Sequence, residues 1–245
     1  MTPRWVDAQA RKDWLLAMTI GYYIESVSPV GSACIVKKYN LDLSPATIRN
    51  ILAELEQEGF LMHPHTSAGR VPTQQGYRYY VDNLMQEIQL LEEEKLKIKS
   101  EYNRQTQELE SLLEKTSQVI SEITQCTSLI SVDGWGAKLF CKGTRFVVEY
   151  PQEQDINEIK SILMALDEKE KLLEIINRGL NQRVEVFIGH EIACREIESC
   201  SLVVSQYKTT KGPAGRIAVL GPTRMDYERV VSALDYFSEL MEEIL

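Results

Sequence analysis

The sequence predicts an α+β protein built from an N-terminal winged helix-turn-helix, a long helix and a C-terminal α/β domain. Three observations predict it. Three helical segments fill the first 59 residues and are followed at once by a short hairpin signal. From Gln74 an apolar repeat of 3.5 residues persists for seven heptads. Beyond residue 127, strand-like and helix-like segments alternate. The boundaries expected from these patterns are 1–80 for the winged helix, 81–127 for a linker or dimerisation helix, and 128–245 for the α/β domain.

The first helix is expected over residues 7–26, where Trp14, Leu15, Met18, Tyr22 and Ile24 form a rough helical face. Ser28-Pro29-Val30-Gly31 breaks it. A short helix over 32–39 presents Ile35, Val36 and Tyr39, and a loop covers 40–43. The third helix carries its own punctuation: Ser44 as N-cap, Pro45 at the first helical position and Gly59 as the stop. Ile48, Ile51, Leu52 and Leu55 recur at helical spacing, leaving Ala46, Thr47, Arg49, Asn50 and Ala53 on other faces. Residues 60–73 read as a hairpin with the small tip Ser67-Ala68-Gly69.

One long helix is expected from 74 to 127. Its a/d seam runs Tyr77, Val81, Leu84, Ile88, Leu91, Lys95, Ile98, Tyr102, Gln105, Leu109, Leu112, Thr116, Val119, Ile123. Only Lys95, Gln105 and Thr116 are polar, which favours a coiled coil; a long helix packed on its own domain is the alternative. In the coiled-coil reading Leu84, Ile88, Leu91, Ile98, Leu109 and Leu112 make a dimer contact. Further on, strands are expected over 128–132, 138–141, 146–150, 184–188, 201–207 and 216–220. One helix presents Ile159, Ile162, Leu163 and Leu166. Asp167 can cap a second, bearing Leu172, Leu173 and Ile176 and closed by Gly179. Thr223 and Asp226 resemble a capping-box variant for a last helix with Val230, Leu234, Phe237, Met241 and Ile244 on one face.

The net charge of −9 argues against a DNA binder held by bulk charge. It is not evenly spread. Residues 1–83 hold eight Lys/Arg and eight Asp/Glu, so every excess negative charge lies beyond them. DNA affinity must then come from a few well-placed groups. The five cysteines are odd in number, widely spaced and lack any CxxC, which fits reduced thiols in a cytoplasm. No apolar run reaches the length of a membrane span, and no secretory leader is expected at the N-terminus.

In a helix-turn-helix reader the start of the second helix meets base edges in the major groove. Here it offers Ser44, Ala46, Thr47, Arg49 and Asn50. Arginine pairs with guanine, asparagine with adenine, and a threonine methyl meets that of thymine. On an isolated helix the same residues would be only a cap and a surface charge; the hairpin directly downstream favours the DNA reading. In that hairpin the tip residues Thr66, Ser67 and Gly69 let the backbone approach a sugar–phosphate chain, with His65 and Arg70 as phosphate or minor-groove contacts. A plain β-turn has the same composition. Arg78 completes the expected set, and Arg70→Ala is expected to lower the salt dependence of binding.

The run SPATIRNILAELEQEGFLMHPHTSAGRVPTQQGYRYYVD, preceded by PVGSACIVKKYNLDL, resembles the heat-inducible transcription repressor family HrcA. The resemblance resumes at Ile188-Gly189-His190-Glu191, Cys200-Ser201-Leu202-Val203 and the segment GRIAVLGPTRMDY at 215–227. It implies a homodimeric winged-helix repressor whose relatives bind an inverted-repeat operator, CIRCE, in double-stranded DNA ahead of chaperone genes. It also implies a GAF-like C-terminal domain with an inserted dimerisation domain, and activity sustained by the GroEL chaperonin. One departure is expected. Between Ile130 and Lys138, where the family carries a long stretch, only Ser131-Val132-Asp133-Gly134-Trp135-Gly136-Ala137 remains. The sensor domain is therefore expected to be reduced, which places chaperonin control in doubt and gives the long helix more weight as the dimer element.

Other chemistry is not visible. His63 and His65 flank Pro64 without a ligand cluster, and no Walker, GxSxG or Rossmann fingerprint occurs. No enzyme activity, metal or cofactor is expected. Trp135, Phe140 and Phe146 are core residues or pocket lining. Two other functions stay open: a regulator responding to a small molecule, and a protein-binding module that keeps the winged fold.

Overall fold

The structure, a computed structural model, describes residues 8–64, 69–85, 109–134, 138–149, 156–208 and 214–244. Contacts divide the chain into residues 1–86 and 87–245.

In the first unit, helices α1 (Ala8–Ser26), α2 (Ser32–Tyr39) and α3 (Pro45–Gln57) form where helical periodicity places them. Leu15, Leu16 and Ile20 of α1, Ile35 of α2 and Ile48, Leu52 and Leu55 of α3 are all buried, making the core that holds the three together. Strands β1 (Leu61–Met62) and β2 (Val71–Pro72) pair antiparallel. The breaker at 28–31 does more than end α1. Val30 bridges Arg70, with N–H···O distances of 2.8 and 3.0 Å, and adds a third short strand to the hairpin.

Thr73 caps α4 (Gln74–Tyr79), accepting from the Gly76 N–H at 3.0 Å and donating to the Gly59 carbonyl at 2.6 Å. The helix widens into a π turn at Tyr80–Leu84, closed by the Met85 N–H on the Tyr80 carbonyl at 2.8 Å. Met85 itself is extended, with ψ at 136°. The single helix expected over 74–127 is therefore interrupted there.

The coiled-coil seam is corrected for its described members. Leu84 is half-buried in the π turn. Ile88, Leu91 and Ile98 lie outside the described residues. Leu109 and Leu112 belong to α5 (Leu109–Thr124), which packs on residues 127–132, 139–142 and 227–244 of the second unit. Leu112, Leu113, Thr116 and Ile120 are buried there. A helical stripe can face only one neighbour, and α5 spends its stripe on its own sheet.

That sheet has β3 (Thr127–Val132), β4 (Leu139–Lys142), β5 (Val184–Ile188), β6 (Cys200–Tyr207) and β7 (Gly215–Pro222) in the order β4-β3-β7-β6-β5, all antiparallel. Helices cover both faces, so β3, β6 and β7 are buried almost throughout rather than alternately. On one face Leu129, Leu202, Val204, Ala218 and Leu220 pack with α7 (Ile156–Asp167) and α8 (Lys169–Ile176). On the other lie α5 and α9 (Tyr227–Ile244), whose Val230, Leu234, Phe237 and Met241 are fully buried.

Three local expectations change. Residues 146–150 were expected as a strand; instead α6 (Arg145–Glu149) follows a turn at Gly143. Phe146 and Val147 are adjacent and both buried, which a strand with alternating faces would not achieve beside solvent. Glu168 rather than Asp167 occupies the N-cap position of α8. Asp226 rather than Thr223 caps α9, accepting from the Arg229 N–H at 3.1 Å, while the Thr223 carbonyl accepts from the Tyr227 hydroxyl at 2.6 Å. Phe140 and Phe146 are packed in the core, and Trp135 lies outside the described residues.

The α5/α9 face is rich in hydroxyls. Ser205 and Ser238 meet at 2.6 Å, Ser201 and Tyr227 at 2.7 Å, and the Ser117 hydroxyl donates to the Ser128 carbonyl at 3.2 Å. Ser205 and Ser238 are both fully buried. Ser238→Ala would orphan the Ser205 hydroxyl and is expected to cost about 1–2 kcal/mol in urea unfolding. The Ser205→Ala/Ser238→Ala double variant is expected to lose less than the two single losses combined. Additive losses would mean that the two hydroxyls act independently.

Candidate nucleic-acid interface

The start of α3 is built as the sequence predicts. The Ser44 side chain accepts from the Thr47 N–H at 3.1 Å, and its oxygen lies 2.9 Å from that of Thr47. Both hydroxyls are thus engaged in the cap. Because Ile48, Ile51, Leu52 and Leu55 face the core, the helix turns Ala46, Arg49 and Asn50 outward; these are exposed, as is Ser44, while Thr47 is half-buried.

Four of the cations in this unit are already paired. Lys12 bridges Glu54 and Glu58 at 2.9 and 2.6 Å, and Lys38 pairs with Glu25. Arg78 grips Asp82 one helical turn on, at 3.0 and 2.5 Å. Arg70, whose side chain is only 12% exposed, places Nε 3.2 Å from Glu56 Oε2. Among the described residues Arg11, Lys37 and Arg49 have no ion pair, and all three are exposed.

This arrangement revises the expected site. Arg49 and Asn50 stand as expected on an open helix face. Arg70, expected at a phosphate or the minor groove, and Arg78, expected as a DNA contact, are ion-paired with Glu56 and Asp82. His65, Thr66 and Ser67 lie outside the described residues. Gly69 is half-buried, and a Cβ there would fall 2.6 Å from the Val30 carbonyl carbon, so the contact that forbids a side chain is with the protein's own strand. Lys37 was missed. Its signal was available: a lysine near the end of the helix preceding the recognition helix, without an acidic residue three or four positions away.

Glu56 is the hub of the hairpin. His63 Nδ1 lies 2.5 Å from Oε1, and Arg70 Nε is bound to Oε2. Chiefly the hydrogen bond with His63, and then the Arg70 guanidinium, hold the Glu56 carboxyl below its ordinary range against the opposing effect of burial.

Known proteins place this architecture. Residues 91–231 match the family model described as the HrcA protein C terminal domain. The chain is 29% identical to the heat-inducible transcription repressor HrcA of Desulforudis audaxviator, across 96% of this chain and 97% of the relative. It is 28% identical to that of Carboxydothermus hydrogenoformans, across 98% of each. The first of these alignments runs over 334 positions, longer than this 245-residue chain, so the relative carries residues that this chain lacks. A crystal structure of a hypothetical protein has the same fold, with a TM-score of 0.74, 18% identity and 98% of each chain covered. No helix among the described residues is long and apolar enough to cross a membrane. The family model spans more than half of the chain, and the chain belongs to the HrcA family.

Proposed function

We infer that this protein is a sequence-specific transcription repressor that inserts α3 into the major groove of double-stranded DNA. The observation that carries the reading is the start of α3: Arg49 and Asn50 exposed beside an N-terminus capped by Ser44, in a unit whose other cations are largely neutralised. A free guanidinium and an amide in that position can pair with guanine and adenine edges. The named function of the relatives, heat-inducible transcription repression, supports the same reading. An inverted-repeat operator of the CIRCE type then calls for two copies of the chain, one per half-site. The test is a gel shift on such a repeat with half-site spacing varied one base at a time. Tight binding at a single spacing supports a dimeric reader; binding indifferent to spacing and sequence overturns it. Chaperonin control is tested in the same assay with and without added GroEL: raised operator occupancy would support it, and unchanged occupancy would mean that the shortened chain has lost it.

Lys37 replaces Arg70 as the expected phosphate contact. Lys37→Ala is expected to weaken binding uniformly across sequences and to reduce the slope of log affinity against log salt by about 1. Arg70→Ala is expected to leave that slope nearly unchanged, because its charge is already balanced by Glu56. A full unit lost from the slope with Arg70→Ala would return Arg70 to the phosphate set.

A further inference from the structure

We propose that Glu56 is a positioning residue that fixes the hairpin wing to the recognition helix, so that one carboxylate sets the angle between the two DNA-contacting elements. The inference rests on the DNA-binding reading above. Glu56 sits in the last turn of α3, two turns on from Arg49 and so close to the same helical face. Its two oxygens hold two different legs of the hairpin. Oε1 takes His63, which follows β1, and Oε2 takes Arg70, which precedes β2. Those two residues flank the hairpin's turn on either side.

The strands themselves are too short to do this. β1 and β2 are two residues each, and a two-stranded ribbon of that length has little stability of its own. Beyond them, the Thr73 N–H bonds the Phe60 carbonyl at the base of the hairpin, and near its turn the Val30–Arg70 bridge enters through Arg70, the residue Glu56 holds. Arg70 thus joins three elements: its backbone pairs with the strand before α2, its guanidinium with the end of α3, and its chain position leads into β2. Its side chain is 12% exposed and that of Glu56 33%, so the pair is partly shielded from solvent. Gly69, with no room for a Cβ against Val30, keeps the bridge closed. The site spends an arginine, a histidine and a glutamate on aiming the wing rather than on touching DNA.

The experiment compares the full chain with Glu56→Ala and the milder Glu56→Gln. Hydrogen exchange is read on the free protein at the Arg70 and Val30 amides, whose bonds close the bridge, and at Ile51 and Leu52 in α3. Glu56→Ala is expected to speed exchange at Arg70 and Val30 at least tenfold while Ile51 and Leu52 keep their protection. Glu56→Gln, which keeps the shape and one acceptor, is expected to fall between. On the inverted repeat, Glu56→Ala is expected to lose about tenfold in affinity, with backbone protection lost at the outer flank of each half-site and retained over the bases read by Arg49. Unchanged exchange at Arg70 and Val30, loosening spread evenly through α3, or full operator affinity despite a loosened bridge would each overturn the proposal. If the unmodified protein shifts no inverted repeat, the DNA-binding reading fails by itself, and the exchange result still decides whether Glu56 holds the wing.

Discussion

Arg49→Ala is expected to weaken binding to the specific operator by about tenfold to a hundredfold, about 1–3 kcal/mol, and to flatten discrimination at one base position of each half-site. The physical case is one of scarcity. The unit is electrically balanced, and Lys12, Lys38, Arg70 and Arg78 are committed to carboxylates. Arg49 is one of three exposed cations without an ion pair among the described residues of this unit, and the one that stands on α3. A bidentate arginine–guanine pair carries sequence information, whereas a phosphate contact does not. Affinities for operator and random DNA should therefore converge in the variant. Equal weakening on both would identify Arg49 as a backbone contact and move base reading to Asn50.

Gly76→Ala is expected to lower the stability of the first unit by about 2–3 kcal/mol. A Cβ at position 76 would lie 2.2 Å from the Phe60 carbonyl oxygen, which is backbone and cannot rotate away. That oxygen also accepts from the Thr73 N–H at 3.0 Å and from the Thr73 hydroxyl at 3.2 Å, so moving it disturbs the cap of α4 as well. For a unit of this size the loss corresponds to a melting shift of roughly 10–20 °C, confined to the N-terminal transition. Gly21→Ala is the matched control. Gly21 lies inside α1, and its added methyl would meet only the Tyr39 hydroxyl oxygen at an ordinary 3.7 Å. It is expected to stabilise the same unit by about 0.5–1 kcal/mol. A melting temperature unchanged by Gly76→Ala would show that α4 can slide past Phe60.

Gly69 and Gly76 show why the family-like stretch around them is informative about folding as much as about DNA. Gly69 admits Val30, Arg70 reaches Glu56, Thr73 caps α4, Gly76 admits Phe60 and Tyr77 is buried. Residues expected to touch DNA here also make contacts within the protein. Sequence spacing identifies the types and the order. It does not say whether an arginine points at a phosphate or at a glutamate fourteen positions back.

The local grammar of the chain determined the helices, the caps and most strands. Ser44, Pro45 and Gly59 bound α3 because capping, ring geometry and left-handed φ are properties of single residues. The periodicity of Ile48, Ile51, Leu52 and Leu55 likewise turned Arg49 outward before any neighbour was known. Partnership was decided only by the tertiary structure. The seven-heptad pattern could not tell a second chain from the protein's own sheet, and Leu112 went to the sheet. The break at Met85 arises from a carbonyl of Tyr80 taking an N–H five residues on, which no side-chain pattern announces. Periodicity reports that a face is apolar, and hydrogen-bonding capacity reports that a charge can pair. What lies opposite each of them is set by contacts distant in sequence, and those contacts pair Arg70 with Glu56 and leave Lys37 exposed.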